Sequence, residues 1–119
     1  MDPTGGASWH DLAFVGFFDA DVRVGRVLDV EAFPEARKPA WKLTVDFGPD
    51  AGTLRTSAQV KNYSAEALVG RLVVGVLNLG VRRIAGFESQ FLVLGAMAPD
   101  GTVHLLEVPD DVEPGWPIA

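Results

Sequence analysis

The chain has 119 residues, no cysteine, 48% hydrophobic residues and a formal net charge of −6. That length fits one domain of ordinary size, and so much apolar matter excludes a disordered chain. Without cysteine there is no disulfide framework, zinc ribbon, iron–sulfur site or cysteine nucleophile, and the negative charge by itself speaks against nucleic-acid binding.

The charge is unevenly divided. Residues 1–21 carry four acids and no base, and residues 100–119 carry five acids and no base. All ten Lys and Arg lie between them, against seven acids, so a mildly basic body is set between two acidic ends.

Residues 1–7 read as a lead-in broken by Pro3, Gly5 and Gly6. Met1 to Trp9 has neither the basic region nor the apolar run of a signal peptide. Ser8-Trp9-His10-Asp11 has the form of a capping box and predicts a short helix with Leu12, Phe14, Val15 and Phe18 apolar. From Asp21 the period becomes that of a strand through Val22, Val24, Val27 and Val30. The phase slips at Gly25, which predicts a β-bulge or sharp bend in one long strand. Phe33 to Pro39 is a loop, since its two prolines bar regular pairing. Leu43, Val45 and Phe47 alternate with polar residues in a second strand. Gly48 to Gly52 is a turn, and Leu54 to Val60 is a third strand.

Ser64 to Gly70 has an N-cap serine, an early Glu66 and a terminal glycine, which predicts a helix of about two turns. Leu72 to Leu79 reads as a buried strand, Gly80 to Gly86 as a loop carrying Arg82 and Arg83, and Phe91 to Ala98 as a further strand. Pro99-Asp100-Gly101 marks a hairpin turn into Val103 to Val108. The tail, Pro109 to Ala119, is acidic, with apolar Trp116 and Ile118 near its end. The longest apolar stretch, Leu72 to Leu79, is far short of the ~20 residues of a membrane span. No membrane insertion and a cytoplasmic location are expected.

Three strands, a short helix, two further strands and an extra hairpin partner follow the plan of an all-β fold, the five-stranded OB-fold Greek-key barrel. A single domain over residues 1–119 is expected, with 1–12 a flexible extension and 109–119 a C-terminal extension. No catalytic motif is present. His10 and His104 stand in no metal-binding pattern, and Gly86-Phe87-Glu88-Ser89-Gln90 lacks the second glycine of a nucleophile elbow. There is no Walker A loop and no G-x-G-x-x-G. The expectation is a non-enzyme without catalytic residues, metal or cofactor, the alternative being a small enzyme with an unfamiliar site.

Two segments carry a family signature. One is Asp21-Val22-Arg23-Val24-Gly25 followed by Phe33-Pro34-Glu35-Ala36-Arg37-Lys38-Pro39-Ala40-Trp41-Lys42-Leu43-Thr44-Val45-Asp46-Phe47-Gly48. The other runs from Thr56-Ser57-Ala58-Gln59-Val60 through Tyr63 to Arg71, and on through Asn78-Leu79 to Arg82-Arg83-Ile84-Ala85-Gly86 and Glu88-Ser89-Gln90. Together they closely resemble the tRNA-binding-domain family of OB-folds. That family includes the C-terminal domain of bacterial methionyl-tRNA synthetases, and the F-P-E-A-R-K-P run and S-A-Q are similar to its CsaA, secretion-chaperone branch.

The resemblance implies an OB barrel and a homodimer built with the N-terminal helix and C-terminal extension. It implies binding of tRNA or structured RNA and, in the CsaA branch, of unfolded or precursor polypeptides as an export-related chaperone. A dedicated module for tRNA handling is the alternative. Carried over by position, Asn78, Arg82, Arg83, Ser89 and Gln90 match the loop and strand start where the family contacts RNA, and Lys38, Lys42 and Ser57 match the facing loop and strand. The family has Pro at the place of Val81 and Gly-Met at the place of Phe91-Leu92, so a family contact methionine is missing here.

The residue chemistry fits these roles. Arg presents a planar fork of donors to phosphate oxygens, so Arg82 and Arg83 with Arg37, Lys38, Lys42 and Arg55 are expected to form a basic rim; the alternative is a solvated charge set. Ser89, Asn78 and Gln90 either meet RNA or cap turns and strand ends. Phe33, Phe87 and Phe91 flank the same loops and are candidate peptide contacts or, if buried, barrel plugs. Trp9, Phe14, Phe17, Phe18, Trp116 and Ile118 give the acidic ends more apolar bulk than solvated tails need, and they are expected to pack across a two-fold interface. A clasp on the same subunit is the alternative.

Overall fold

A computed structural model of the protein describes residues 19–119. Strands β1 (Val22–Ala32) and β2 (Trp41–Asp46) are followed by a helical turn, α1 (Gly48–Ala51), and by β3 (Thr53–Ala58). A second helical turn, α2 (Ala65–Leu68), leads to β4 (Leu72–Val76), β5 (Arg82–Ile84) and β6 (Phe87–Ser89). Short strands β7 (Leu92–Val93), β8 (Gly95–Met97) and β9 (Val103–Leu105) complete the order. Five of them form an antiparallel sheet in the order β3-β2-β1-β4-β7.

The sheet curls until its two edges meet. Gln90 N–H donates to Arg55 O at 2.8 Å, and Thr56 Oγ1 donates to Phe91 O at 2.6 Å. The result is a nearly closed all-β barrel of the OB type. Inside it Leu43, Val45, Phe47, Val27, Leu68 and Val73 are fully buried, and Phe47 meets Phe91 edge to face at 4.8 Å between ring centres. The Ser64 hydroxyl caps α2 by accepting from Ala67 N–H at 3.1 Å. Only one turn follows, not the expected two, because Val69 turns out to an extended conformation and Gly70 has a φ of 85°.

The phase slip at Gly25 has a different origin from the expected bulge. Pairing with β4 is regular through Gly25↔Val73. The irregularity falls between Val27 and Asp29, at Leu28, and it returns Val30 to the barrel side opposite Leu43. Gly25 is instead a packing glycine: a Cβ there would stand 2.5 Å from Val45 Cγ1 and 2.7 Å from Phe47 Cε1. Val22 and Val24 face the other way. Val22 joins Val74 and Val76 in a second apolar cluster outside the barrel, packed by Ala20, Leu94 and Val108.

The C-terminal segment covers part of this outer face. Its backbone lies along the free edge of β1: Val24 N–H donates to Trp116 O, Gly115 N–H to Val24 O, and Ile118 N–H to Val22 O, at 2.7–3.0 Å. So the tail is clasped to its own chain by backbone bonds, while the side chains of Trp116 and Ile118 stay 51% and 37% exposed. The Asp21 carboxylate, hydrogen-bonded to Arg23 Nε at 2.7 Å, raises the Arg23 guanidinium above its ordinary value beside this clasp. The expected hairpin at Pro99–Gly101 forms, with Ala98 N–H donating to Thr102 O and Asp100 accepting from Thr102 N–H, a bond that lowers the Asp100 carboxyl below its usual range.

Candidate nucleic-acid interface

Two projections flank the outer side of β3. One is the 33–40 loop between β1 and β2. The other is the β5–β6 hairpin, which replaces the loop expected over residues 80–86. Its two-residue turn, Ala85-Gly86, has φ values of 47° and 81°. Left-handed conformations at both positions are what a tight hairpin of matching twist requires. Between the projections lies a groove of about 580 Å3. Arg37, Lys38, Ser57, Gln59, Arg82 and Ile84 line it, with Glu35 as its acid.

Lys38, Ser57 and Arg82, expected at an RNA site, are thus brought together. Arg82 and Arg83 part ways. Cross-strand pairing sets Arg83 opposite Glu88, and Arg83 Nη2 meets Glu88 Oε2 at 2.6 Å. Arg82 stands opposite Ser89 and has no carboxylate partner among the described residues. Lys42 is drawn onto aromatic faces: its ammonium sits 4.7 Å from the Phe33 ring centre and 5.1 Å from that of Phe87. Arg55 covers the same Phe87 ring at 4.8 Å and lies 3.6 Å from Glu31. The two rings meet edge to face at 5.4 Å. This stack ties the hairpin to β2 and β3, and its cation–π contacts are each ~0.5–2 kcal/mol.

Three polar candidates serve the backbone. Asn78 Oδ1 accepts from Asp21 N–H at 2.9 Å and its Nδ2 donates to Asp19 O at 2.7 Å, which pins the entry to β1. The buried Ser89 hydroxyl accepts from Ser57 N–H at 3.0 Å, and Gln90 Oε1 accepts from Arg55 N–H at 2.9 Å. Both bonds help close the barrel. Among the aromatic candidates, Phe33 and Phe91 are 4% and 5% exposed. Phe91 packs in the core against Phe47 and, as a barrel plug, also lines the apolar pocket beside the groove. Phe87 is half-buried under its two cations.

Beside the groove a smaller, mainly apolar pocket of about 140 Å3 is lined by Leu79, Ile84 and Leu92 together with Thr56 and Phe91. The candidate dimer residues Trp9, Phe14, Phe17 and Phe18 lie outside the described residues. Gln59 and Ile84 were not singled out from the sequence as site residues. The signal for Gln59 is its place in the Ser57-Ala58-Gln59 motif, and that for Ile84 its place in the Arg82-Arg83-Ile84-Ala85-Gly86 segment.

Residues 22–117 match the family described as putative tRNA binding domain. The chain is similar to the CsaA chaperone protein of Picrophilus torridus, with 43% identity, a TM-score of 0.83, and coverage of 89% of this chain and 97% of that one. It is similar also to the chaperone CsaA of Bacillus anthracis, with 41% identity, a TM-score of 0.83, and coverage of 89% and 96%. The methionine–tRNA ligase of Porphyromonas gingivalis is 36% identical over 106 residues, which is 89% of this chain. The chain spans only 15% of that enzyme's length. With a barrel of the expected order, a match over almost the whole described chain and two CsaA proteins of near-equal extent, the chain belongs to the tRNA-binding-domain family, in its CsaA branch.

Proposed function

We propose that the chain is a non-catalytic, homodimeric, CsaA-like binding protein of the cytoplasm. It takes structured, tRNA-like RNA in the groove between the 33–40 loop and the β5–β6 hairpin. The observation that carries this reading is the convergence of Arg37, Lys38 and Arg82 on one concavity, with no carboxylate partner for any of them among the described residues. Phosphate oxygens satisfy such donors, and Ser57 and Gln59 beside them offer hydrogen bonds to sugar or base. The overall charge of −6 opposes the approach of RNA at long range but is screened beyond about 10 Å at 0.1 M salt.

A second reading rests on the apolar pocket beside the groove, with exposed Leu79 and Leu92 at its mouth. It gives the site an unfolded or precursor polypeptide, in line with the chaperone description of the similar CsaA proteins. Fluorescence anisotropy with tRNA and with an unfolded, apolar-rich peptide across a salt series separates the two. RNA binding is expected to weaken steeply with salt, and Lys38→Ala with Arg82→Ala to flatten the log–log slope by about 2, one for each lost phosphate contact. Salt-insensitive peptide binding without tRNA binding reverses the order of the two readings. A chain that binds neither ligand refutes both.

A further inference from the structure

The 33–40 loop has a second concavity on its other flank. It measures about 330 Å3 and is lined by Phe33, Pro34, Arg37, Pro39, Ala40 and Lys61, with Ala32 and Ala36 completing it. No acidic residue lines it. Ala36, Arg37 and Ala40 line both this groove and the 580 Å3 one, so the loop is a ridge between two adjoining troughs and Arg37 borders each. Lys61 is exposed and its ammonium lies 3.7 Å above the Trp41 ring centre. The ring face holds the ammonium itself by a cation–π contact at the edge of the trough that Lys61 lines.

Not every cation near the ridge is free to serve. The half-buried Lys42 is shared between the rings of Phe33 and Phe87, and Arg55 is shared between Phe87 and Glu31. That leaves Arg82 and Lys38 in the first trough, Arg37 bordering both and Lys61 in the second, all of them exposed cations. None of the four has a carboxylate partner among the described residues.

We infer that the anionic path does not end at the groove but crosses the 33–40 ridge, and that Lys61, with Arg37, holds a further phosphate of the same RNA in the second trough. This rests on the RNA reading above and extends its footprint. The ligand of the second trough is a phosphodiester and not a base. Its lining offers cations and apolar walls, its Phe33 is only 4% exposed, and the Trp41 face at Lys61 is covered by the lysine ammonium.

The test is tRNA anisotropy with the full chain over a salt series. Lys61→Met removes the charge and keeps an apolar stem over Trp41. It is expected to flatten the log–log slope by about 1 and to weaken binding about fivefold to eightfold at 0.1 M salt, since one phosphate contact contributes ~0.7–0.9 to the slope. Arg37→Ala is expected to do the same. Arg26→Met serves as the remote control, because Arg26 pairs with Asp46 at the far end of the β1–β2 ladder, about 20 Å from the ridge. A steep wild-type slope that Lys61→Met leaves unchanged overturns the second trough alone. So does an Arg26→Met variant that flattens the slope as much as Lys61→Met. A wild-type chain without salt-dependent tRNA binding overturns the RNA reading and this extension together.

Discussion

Gly25 shows how one residue fixes the barrel's diameter. The strand passes so close to Val45 and Phe47 that no side chain fits between, and Gly75 across the sheet meets Phe91 and Phe47 in the same way. Gly25→Ala is expected to destabilise the fold by about 3 kcal/mol through overpacking, read as a lower urea midpoint at unchanged slope. An unchanged midpoint would show that the core yields at no cost. The alternation of Val22, Val24, Val27 and Val30 revealed a break near this glycine, but a bulge and a contact too tight for a Cβ leave the same mark in one strand's sequence. Only the facing strand tells them apart. Asn78, Ser89 and Gln90 raise the same difficulty. Their amide and hydroxyl groups suit RNA or backbone equally well, and the partners that decide it are 32 to 59 residues away.

At the scale of elements, the strands with strict alternation and the turn marked by Pro-Asp-Gly were legible, and the bounds of the other short pieces were not. β2 and the hairpin turn at Pro99–Gly101 stand where their residues place them. The single strand expected over Phe91–Ala98 is divided instead. Leu94 N–H still donates to Val74 O, and from Gly95 the chain leaves the barrel sheet to pair with β9. A Cβ on Gly95 would lie 2.7 Å from His104 O, which is why a glycine stands at the crossing. The tail is likewise an element its composition conceals. Acidic and rich in proline, it nonetheless pairs with β1 through an isolated bridge, Arg23 to Pro117, and Gly48 and Gly115 let it approach α1 closely, since a Cβ on either would stand within 2.8 Å of the other segment's backbone. Deleting residues 115–119 removes the three backbone hydrogen bonds to β1 and is expected to cost about 3 kcal/mol. Urea unfolding checks it, and a loss below 0.5 kcal/mol would make the clasp an ornament on a barrel stable without it.

For the whole molecule the division of charge becomes a division of surfaces. The basic body carries the groove proposed for RNA, and the acidic C-terminal segment borders a separate apolar trough of about 540 Å3 against β1 and β4. Val24, Val74, Leu106, Val112, Trp116 and Ile118 line it, and Glu107, Asp110, Asp111 and Glu113 stand in the same segment. If the homodimer forms through this face, a two-fold axis buries apolar side chains and brings like charges together. Salt screens that repulsion and strengthens apolar burial. Association of two chains is therefore expected to tighten with salt while RNA binding weakens, so the two surfaces respond in opposite directions. Light scattering at micromolar concentration is expected to give a dimer, the fraction rising between 0.05 and 0.5 M salt, values chosen to span roughly a threefold change in screening length. Trp116→Glu is expected to give a monomer whose groove still binds tRNA with an unchanged salt slope but without the avidity of two linked sites. A wild-type monomer at every salt concentration, or a Trp116→Glu dimer, would place any partner on another face and leave the exposed tryptophan without this role.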